Sequence, residues 1–555
     1  MPKTTVYSAR RIITLNPMQP DVTHVAVREG RILAVGDLAR MREWGDFDLD
    51  DRFADKVLLP GLVEGHCHLK EGGMWSMPYL GWFDRKDPKG QRWPGLRSMQ
   101  AVVDRLCEID QAMRREGRPD SEPIMAWGFD PIYFGGQRMT VLDLDQASAT
   151  RPIVITHANG HLMNVNTPML ARAGLNRDTD IEGVMKFENG EPSGELQEPS
   201  AMFPVVRAVN NAGLLAPMNE EGMQGFAAIC RMQGVTTATD LVNKLTEQDI
   251  ATLETACQRD DYNVRILPAF QAFHGTHGAR EGAEHVRELM SRNTDRLRFG
   301  LVKMMMDGSI QGFSARLRWP GYFNGAPNGI WVTAPAQYES DFETYHRAGL
   351  TIHTHTNGDE ASEAAIDAIG RVLARAPRPG HRHTLQHGQM IDAAQFRRMA
   401  SLGLSANLFA NHIWYWGDQH ASTTMGADRA ERLDACASAL AAKVPLAIHS
   451  DAPVTPLAPL FTAWCAVNRI TPSGRVLGAN ERLTVMQALH AITMGPAWTL
   501  NLDHEIGSIE CGKRADFCVL QDDPLEVDSR NLKDIGVWGT VLSGRVFPAC
   551  APSSR

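Results

Sequence analysis

Two histidines one residue apart close a short apolar run, "PGLVEGHCHL", from Pro60 to Leu69. On an extended strand, residues i and i+2 share a side. His66 and His68 therefore face one way and Cys67 the other. Two neutral imidazoles on one side are spaced to hold one metal ion together. Alone, either histidine could equally be a satisfied core group. Other apolar runs carry similar residues. Lys303 lies in "FGLVKMMMDG" (299–308), His353 and His355 in "LTIHTHTNGD" (350–359) and His387 in "HTLQHG" (383–388). His449, Ser450 and Asp451 lie in "PLAIHSDAPV" (445–454). Imidazoles, a carboxylate and a lysine gathered at strand ends can bind a cation, activate water and move protons.

Such a gathering needs a scaffold that brings strand ends to one rim. "GVTTATDLV" (234–242), "VRILPAF" (264–270) and "LSANLFANH" (404–412) complete a set of eight β-rich runs. Amphipathic stretches such as "EHVRELMSR" and "ASEAAIDAIGRVLARA" separate several of them. Eight β-then-α units predict an α/β fold, a (β/α)8 barrel over 61–499, with its chemistry at the C-terminal strand ends. About 70–230, after the first strand, is too long for a plain crossover and is expected to be a lid or subdomain. Residues 1–60 and 500–550 share a strand–turn–strand texture, as in "HVAVREGRILAVGD" and "IGSIECGKRADFCVLQ". They predict one composite β-sandwich domain built from both termini.

"PGLVEGHCHL" resembles the opening of the amidohydrolase superfamily, with His-x-His closing strand one. "PIVITHANGHLMNVNTPMLARAGL", "EPSGELQE", "VKMMMDGS", "HTNGDEA", "HTLQHG", "HSDAPV" and "GSIECGKRADFCVL" resemble the amidohydrolase-3 family of YtcJ-like and N-substituted formamide deformylase-like metal-dependent hydrolases. The resemblance covers nearly the whole chain and fixes the family better than the substrate. It implies a metal centre, most often zinc, with two Zn2+ per chain expected here. His66 and His68 would hold the more buried ion, and His355 and His387 the second. Asp451 would touch the first ion and serve as general base. Lys303 would be carboxylated by carbon dioxide and bridge both ions. A buried lysine beside two dications is unfavourable as an ammonium, and carboxylation turns it into an anionic oxygen ligand. The competing reading of Lys303 is a structural ion pair with Asp307 or another acid. His161, in "ANGHLMNVN", would be a catalytic residue of the insertion, reaching over the site to hold the substrate. One departure stands out: relatives commonly carry Glu before the strand-six histidine, and here it is Gln386. His353 and His449 are additional to the family's core motif, and Asp359 is expected to orient a loop.

The implied reaction is hydrolysis of an amide, N-formyl or carbamate C–N bond by a metal-bound hydroxide, with Asp451 moving the proton. Aromatic residues near the rim suit a bulky apolar or aromatic substituent, or else pack a lid. They are Trp75, Tyr79, Trp82 and Phe83 in one loop and Trp414, Tyr415 and Trp416 in another. A mononuclear, deaminase-like hydrolase of a ring amine, using His66, His68, His355 and Asp451, is the alternative, with a non-catalytic regulatory protein behind it. No G-x-S-x-G elbow points to covalent catalysis. Among 555 residues, 43% are hydrophobic and 22% charged, and the net charge of −9 is well mixed. That balance argues against a nucleic-acid or membrane partner and for a small-molecule substrate. Nine cysteines without a C-x-x-C pair, and an N-terminus without a signal-like apolar region, suggest a cytoplasmic chain with reduced thiols. A homo-oligomer, a dimer by analogy, is expected.

Overall fold

The computed structural model describes residues 3–135, 137–158, 160, 162–209, 218–273 and 278–549. They fall into two compact units, Met1–His68 with Ala227–Arg555, and Leu69–Phe226.

The first unit holds eight parallel strands: β1 (Leu62–Glu64), β2 (Val235–Asn243), β3 (Arg265–Gln271), β4 (Leu301–Met305), β5 (Thr351–Thr356), β6 (Thr384–His387), β7 (Ser405–Leu408) and β8 (Leu446–Ile448). Each pairs with its neighbour in sequence. The end strands meet just past their last residues. The Asp451 N–H donates to the His66 carbonyl (3.1 Å) and the His68 N–H to the Ala452 carbonyl (2.7 Å). These bonds close the curled sheet where the predicted site residues lie. Every residue of β1, β4, β6, β7 and β8 is buried. Burial on both faces is why β1, β4 and β8 are written mainly in apolar residues.

Parallel pairing requires crossovers, and helices supply them. Glu247–Gln258 follows β2, Ala279–Leu289 follows β3, Pro335–Arg347 follows β4, Asp359–Arg375 follows β5 and Ala393–Leu402 follows β6. The helix after β5 buries Ala361, Ala365, Ile366, Ala368, Ile369 and Val372, spaced three and four apart along one face. Capping boxes at Thr246–Asp249 and Asp392–Gln395 fix two of the helix starts.

The same unit carries a seven-stranded sheet. Its order is Arg545–Pro548, Val537–Leu542, Phe517–Leu520, Asp48–Pro60, Thr5–Ile13, Asp21–Arg28, Arg31–Gly36. The long strand Asp48–Pro60 pairs parallel with Thr5–Ile13 and antiparallel with Phe517–Leu520, joining the two termini in one sheet. It runs through Gly61 into β1. A Cβ at Gly61 would lie 2.0 Å from Thr236 Oγ1, so only glycine fits that junction. Tyr7, Val25, Phe53, Leu58, Phe517, Val519 and Val541 share one core.

The unit Leu69–Phe226 has its own five-stranded sheet, ordered Val184–Lys186, Pro192–Gln197, Leu162–Val165, Ile153–His157, Ile124–Phe129. Only the last pair is parallel.

Candidate metal centre

Asp451 sits at the middle of the site. Its Oδ1 lies 3.2 Å from His66 Nε2 and 3.2 Å from His68 Nε2. Its Oδ2 lies 3.7 Å from His387 Nδ1. Lys303 Nζ is 3.5 Å from His66 Nε2. The His387 ring is 4.5 Å from the His66 ring and 4.4 Å from that of His355. His66, His68, Lys303, His355, His387 and Asp451 are all buried. The six metal-site residues expected from sequence thus converge, and strand alternation explains the first pair. Cys67, between the histidines, turns away and donates its thiol to the Thr239 carbonyl (2.9 Å). His161 lies outside the described residues.

Parallel register places the rest. Lys303 pairs with His353 and Met305 with His355. His355 pairs with Gln386, and Gln386 with Asn407. Two site residues hold left-handed backbone, His387 at φ 65° and Asp451 at φ 52°. Side chains larger than glycine seldom adopt that region, and such outliers concentrate at functional sites.

Electrostatics follow from burial. Burial pushes the Asp451 carboxyl up, but His66, the His68 hydrogen bond and His449 outweigh it and hold the group well below the usual carboxylate range. Burial lowers Lys303 to about 7, opposed by Asp451. His66, His387 and His449 are held well below the ordinary imidazole range, chiefly by burial. Neutral imidazoles around an ionised carboxylate are the protonation states that ligate a divalent cation. One ligand atom from each of His66, His68 and Asp451 lies within 4.8 Å of the others, and the same holds for His66, His387 and His449. Among the described residues His449 is fully buried with neither ring nitrogen hydrogen-bonded, and His68 Nδ1 has no hydrogen-bond partner. Unpaired buried nitrogens at this spot fit a site built around a cation.

Lys303 forms no ion pair with Asp307 among the described residues. Asp307 instead accepts the backbone N–H groups of Asn357 (2.9 Å), Gly358 (2.9 Å) and Arg316 (3.0 Å), and so ties the loops after β4 and β5 together. Asp359 orients a loop, accepting the Arg318 N–H at 2.9 Å. His355 Nε2 lies 3.0 Å from the Gly308 carbonyl and 3.2 Å from Asn357 Nδ2.

The aromatic residues divide. Trp414 packs on Trp464 (5.3 Å) and Tyr415 on Phe461 (6.0 Å), away from the histidines. Trp416 contacts Phe409 (6.2 Å), and Phe409 stacks on His449 (4.9 Å) beside His387. Within the second unit, Trp75 and Tyr79 pack on Trp127, and Trp82 and Phe83 on Tyr133.

Residues 54–548 match the amidohydrolase family. This chain belongs to the amidohydrolase family. The protein LONG AFTER FAR-RED 3 of Arabidopsis thaliana is 26% identical over 548 residues, 96% of this chain and 90% of that protein. The putative amidohydrolase YtcJ of Bacillus subtilis is 24% identical, over 94% of this chain and 95% of its own. The N-substituted formamide deformylase of Arthrobacter pascens is 23% identical, over 94% of each. Among solved structures, an uncharacterized metal-dependent hydrolase from Pyrococcus horikoshii superposes with a TM-score of 0.70 at 20% identity, covering 95% of this chain and 99% of that one. Atrazine chlorohydrolase TrzN from Arthrobacter aurescens, complexed with zinc, gives 0.51 at 14% identity, covering 99% and 97%. The fold is theirs, and the amidohydrolase described here is a metal-dependent hydrolase.

Three contributors to this site were missed in the sequence. Buried Glu64 accepts the backbone N–H groups of His66 and Ser450 (both 3.3 Å) and the Ser450 hydroxyl (2.8 Å). Its position two before His66, on the same side of the strand, was the available signal. Asp240, near the end of β2, lies 3.8 Å from His68 Nδ1. Asn407 donates to Gln386 Oε1 at 2.9 Å. A carboxamide inside an apolar strand run has no patterning signal beyond its polarity.

Proposed function

We propose that this amidohydrolase hydrolyses a carbon–nitrogen bond of a small molecule, an amide, N-formyl or carbamate group bearing a bulky apolar or aromatic substituent. The observation that carries the reading is the ionised, buried Asp451 carboxylate, 3.2 Å from both His66 Nε2 and His68 Nε2, with Lys303 Nζ 3.5 Å from His66. The formamide deformylase among its relatives supports the bond type.

In this reading His66, His68 and Asp451 hold one Zn2+, and His355 and His387 a second. Lys303, with a pKa near 7, has enough neutral amine to add carbon dioxide. That addition would form a nitrogen–carbon bond with loss of one proton, and the anionic carbamate would give Lys303 oxygen atoms with which to hold a cation. When bound, the ions polarise a carbonyl and lower the pKa of a water molecule. Asp451 takes a proton on a carboxylate oxygen and returns it to the departing amine, as general base and then general acid. The proposal includes a homodimer working in the cytoplasm without nucleic-acid or membrane partners. The eight described cysteines form no disulfide among the described residues, which suits that compartment.

The test is metal content per chain, by elemental analysis, after expression with zinc and bicarbonate. About two ions per chain is the expected result. About one favours the mononuclear, deaminase-like alternative. None, in folded protein never exposed to chelator, overturns the metal reading. A panel of aryl formamides, amides and carbamates then tests the bond, and turnover confined to small polar cyclic ureas overturns the substrate class.

A further inference from the structure

Gln386, the residue before the strand-six histidine, lies in a chain of hydrogen bonds that begins at a backbone carbonyl. The Thr499 carbonyl faces His353 Nε2 at 3.1 Å. A carbonyl only accepts, so Nε2 of His353 carries the proton. His353 is fully buried and its other nitrogen, Nδ1, faces the Gln386 side-chain amide at 2.7 Å. In the neutral ring that nitrogen is an acceptor, so the Gln386 NH2 must point at it. The amide oxygen is thereby turned the other way, where it meets two groups. One is Asn407 Nδ2 at 2.9 Å and the other is His66 Nδ1 at 2.8 Å. The oxygen can only accept, so His66 carries its proton on Nδ1. Its Nε2 is left with a free lone pair, and that is the nitrogen facing Asp451 and Lys303.

We propose that Gln386 is a positioning residue that sets the tautomer of His66, passing the polarity of the Thr499 carbonyl through His353 to the metal-facing nitrogen. The proposal rests on the reading of His66 as a ligand. It also explains why an amide stands at this position. A carboxylate would accept from His66 and Asn407 equally well, but it has no N–H for His353 Nδ1. With His353 held by the Thr499 carbonyl, the residue between the two rings must donate on one side and accept on the other. Among side chains of that length, glutamine does both without taking up a proton. Gln386 thus pairs with His353, itself additional to the family's core motif. Ligand histidines elsewhere are oriented in the same manner through their distal nitrogen.

Two measurements test this. The first is zinc affinity of the metal-free full-length chain by chelator competition, with folding checked by circular dichroism. Gln386→Leu is expected to weaken zinc by about 10–100-fold. Gln386→Glu, which keeps the acceptor for His66, is expected to stay close to wild type, at the expense of thermal stability because His353 loses its donor. Equal affinity in Gln386→Leu and wild type overturns the proposal, as does a Gln386→Glu loss as large as that of Gln386→Leu. The second measurement is 15N NMR of histidine-labelled, metal-free wild type, with the His66 signals identified by their absence in His66→Asn. A protonated Nδ1 and an unprotonated Nε2 are expected, and the opposite tautomer, or an average of both, overturns the relay. If wild type binds no zinc, the metal reading falls and the NMR result still decides the relay. It does so too if Gln386→Leu fails to fold.

Discussion

Glu64 shows at residue scale how much of this centre lies behind the ligands. Its carboxyl gathers the His66 N–H, the Ser450 N–H and the Ser450 hydroxyl. It thereby ties the segment after β1 to the segment after β8, where His66 and Asp451 must meet. Removing the acceptor leaves three buried donors unpaired, each costing about 1–3 kcal/mol. Glu64→Leu is expected to destabilise the chain by about 2–5 kcal/mol in urea unfolding. Glu64→Gln keeps an oxygen for the two backbone groups and gives the Ser450 hydroxyl an N–H to accept, so less than about 1 kcal/mol is expected. Equal losses for the two variants would mean that volume, not hydrogen bonding, makes the position matter. The ligand types themselves were legible, because His66, His68, His355, His387 and Asp451 close apolar runs where nothing structural requires a titratable group. Glu64 was less so, since a single acid inside a strand run has several ordinary explanations. The role of Gln386 was not legible at all. The glutamine itself is visible in the sequence, but the carbonyl that orients its network belongs to Thr499, 113 residues further along, and a backbone acceptor leaves no mark in residue type.

At the scale of elements, the barrel strands are legible as short, largely buried runs, apolar in β1, β4 and β8, while β5 and β6 are rich in threonine and histidine. Six of the eight runs read from the sequence contain the observed strand, and the strands at Val235–Asn243 and Arg265–Gln271 each run one residue past theirs; the first and last strands end at Glu64 and Ile448, which leaves His66, His68 and Asp451 on the segments just after them. The inner architecture of the insertion was not readable. Its strands are as short as the three residues of Val184–Lys186, and its sheet mixes parallel and antiparallel pairs, so no single period runs through it. One polar link between elements carries a sharp prediction. Arg265 on β3 is buried and donates to Asp516 Oδ2 (2.8 Å) and Thr237 Oγ1 (2.8 Å), while Asp516 Oδ1 accepts the Ser543 N–H (2.7 Å). This pair fastens the barrel to the sheet built from both termini. Asp516→Ala strands a buried guanidinium, and a loss of about 3–5 kcal/mol is expected in denaturant unfolding. A change below about 0.5 kcal/mol, the range of an ordinary surface substitution, would mean that water or another acceptor takes over.

At the scale of the whole molecule, the proposed ligands come from sites far apart in the chain: His66 and His68 after β1, Lys303 on β4, His355 on β5, His387 on β6 and Asp451 after β8. The sheet itself closes between the segments after β1 and β8, through the backbones of His66, His68, Asp451 and Ala452. A cation held by His66, His68 and Asp451 would therefore reinforce the seam where the barrel closes. Binding to the folded state alone stabilises it by about 2.7 kcal/mol when free ligand is 100 times its dissociation constant. Zinc removal by chelator is thus expected to lower unfolding free energy by an amount that grows with the logarithm of the zinc concentration withdrawn. Hydrogen exchange should locate the change. Protection of the backbone N–H groups of His68 and Asp451 is expected to fall on chelation and return when zinc is restored, because their bonds cross the seam. The seven-stranded sheet has no proposed ligand, so its amides should change less. Loss of protection confined to that sheet, with the seam unaltered, would separate any metal effect from the ligand set argued here and move the cation to another part of the molecule.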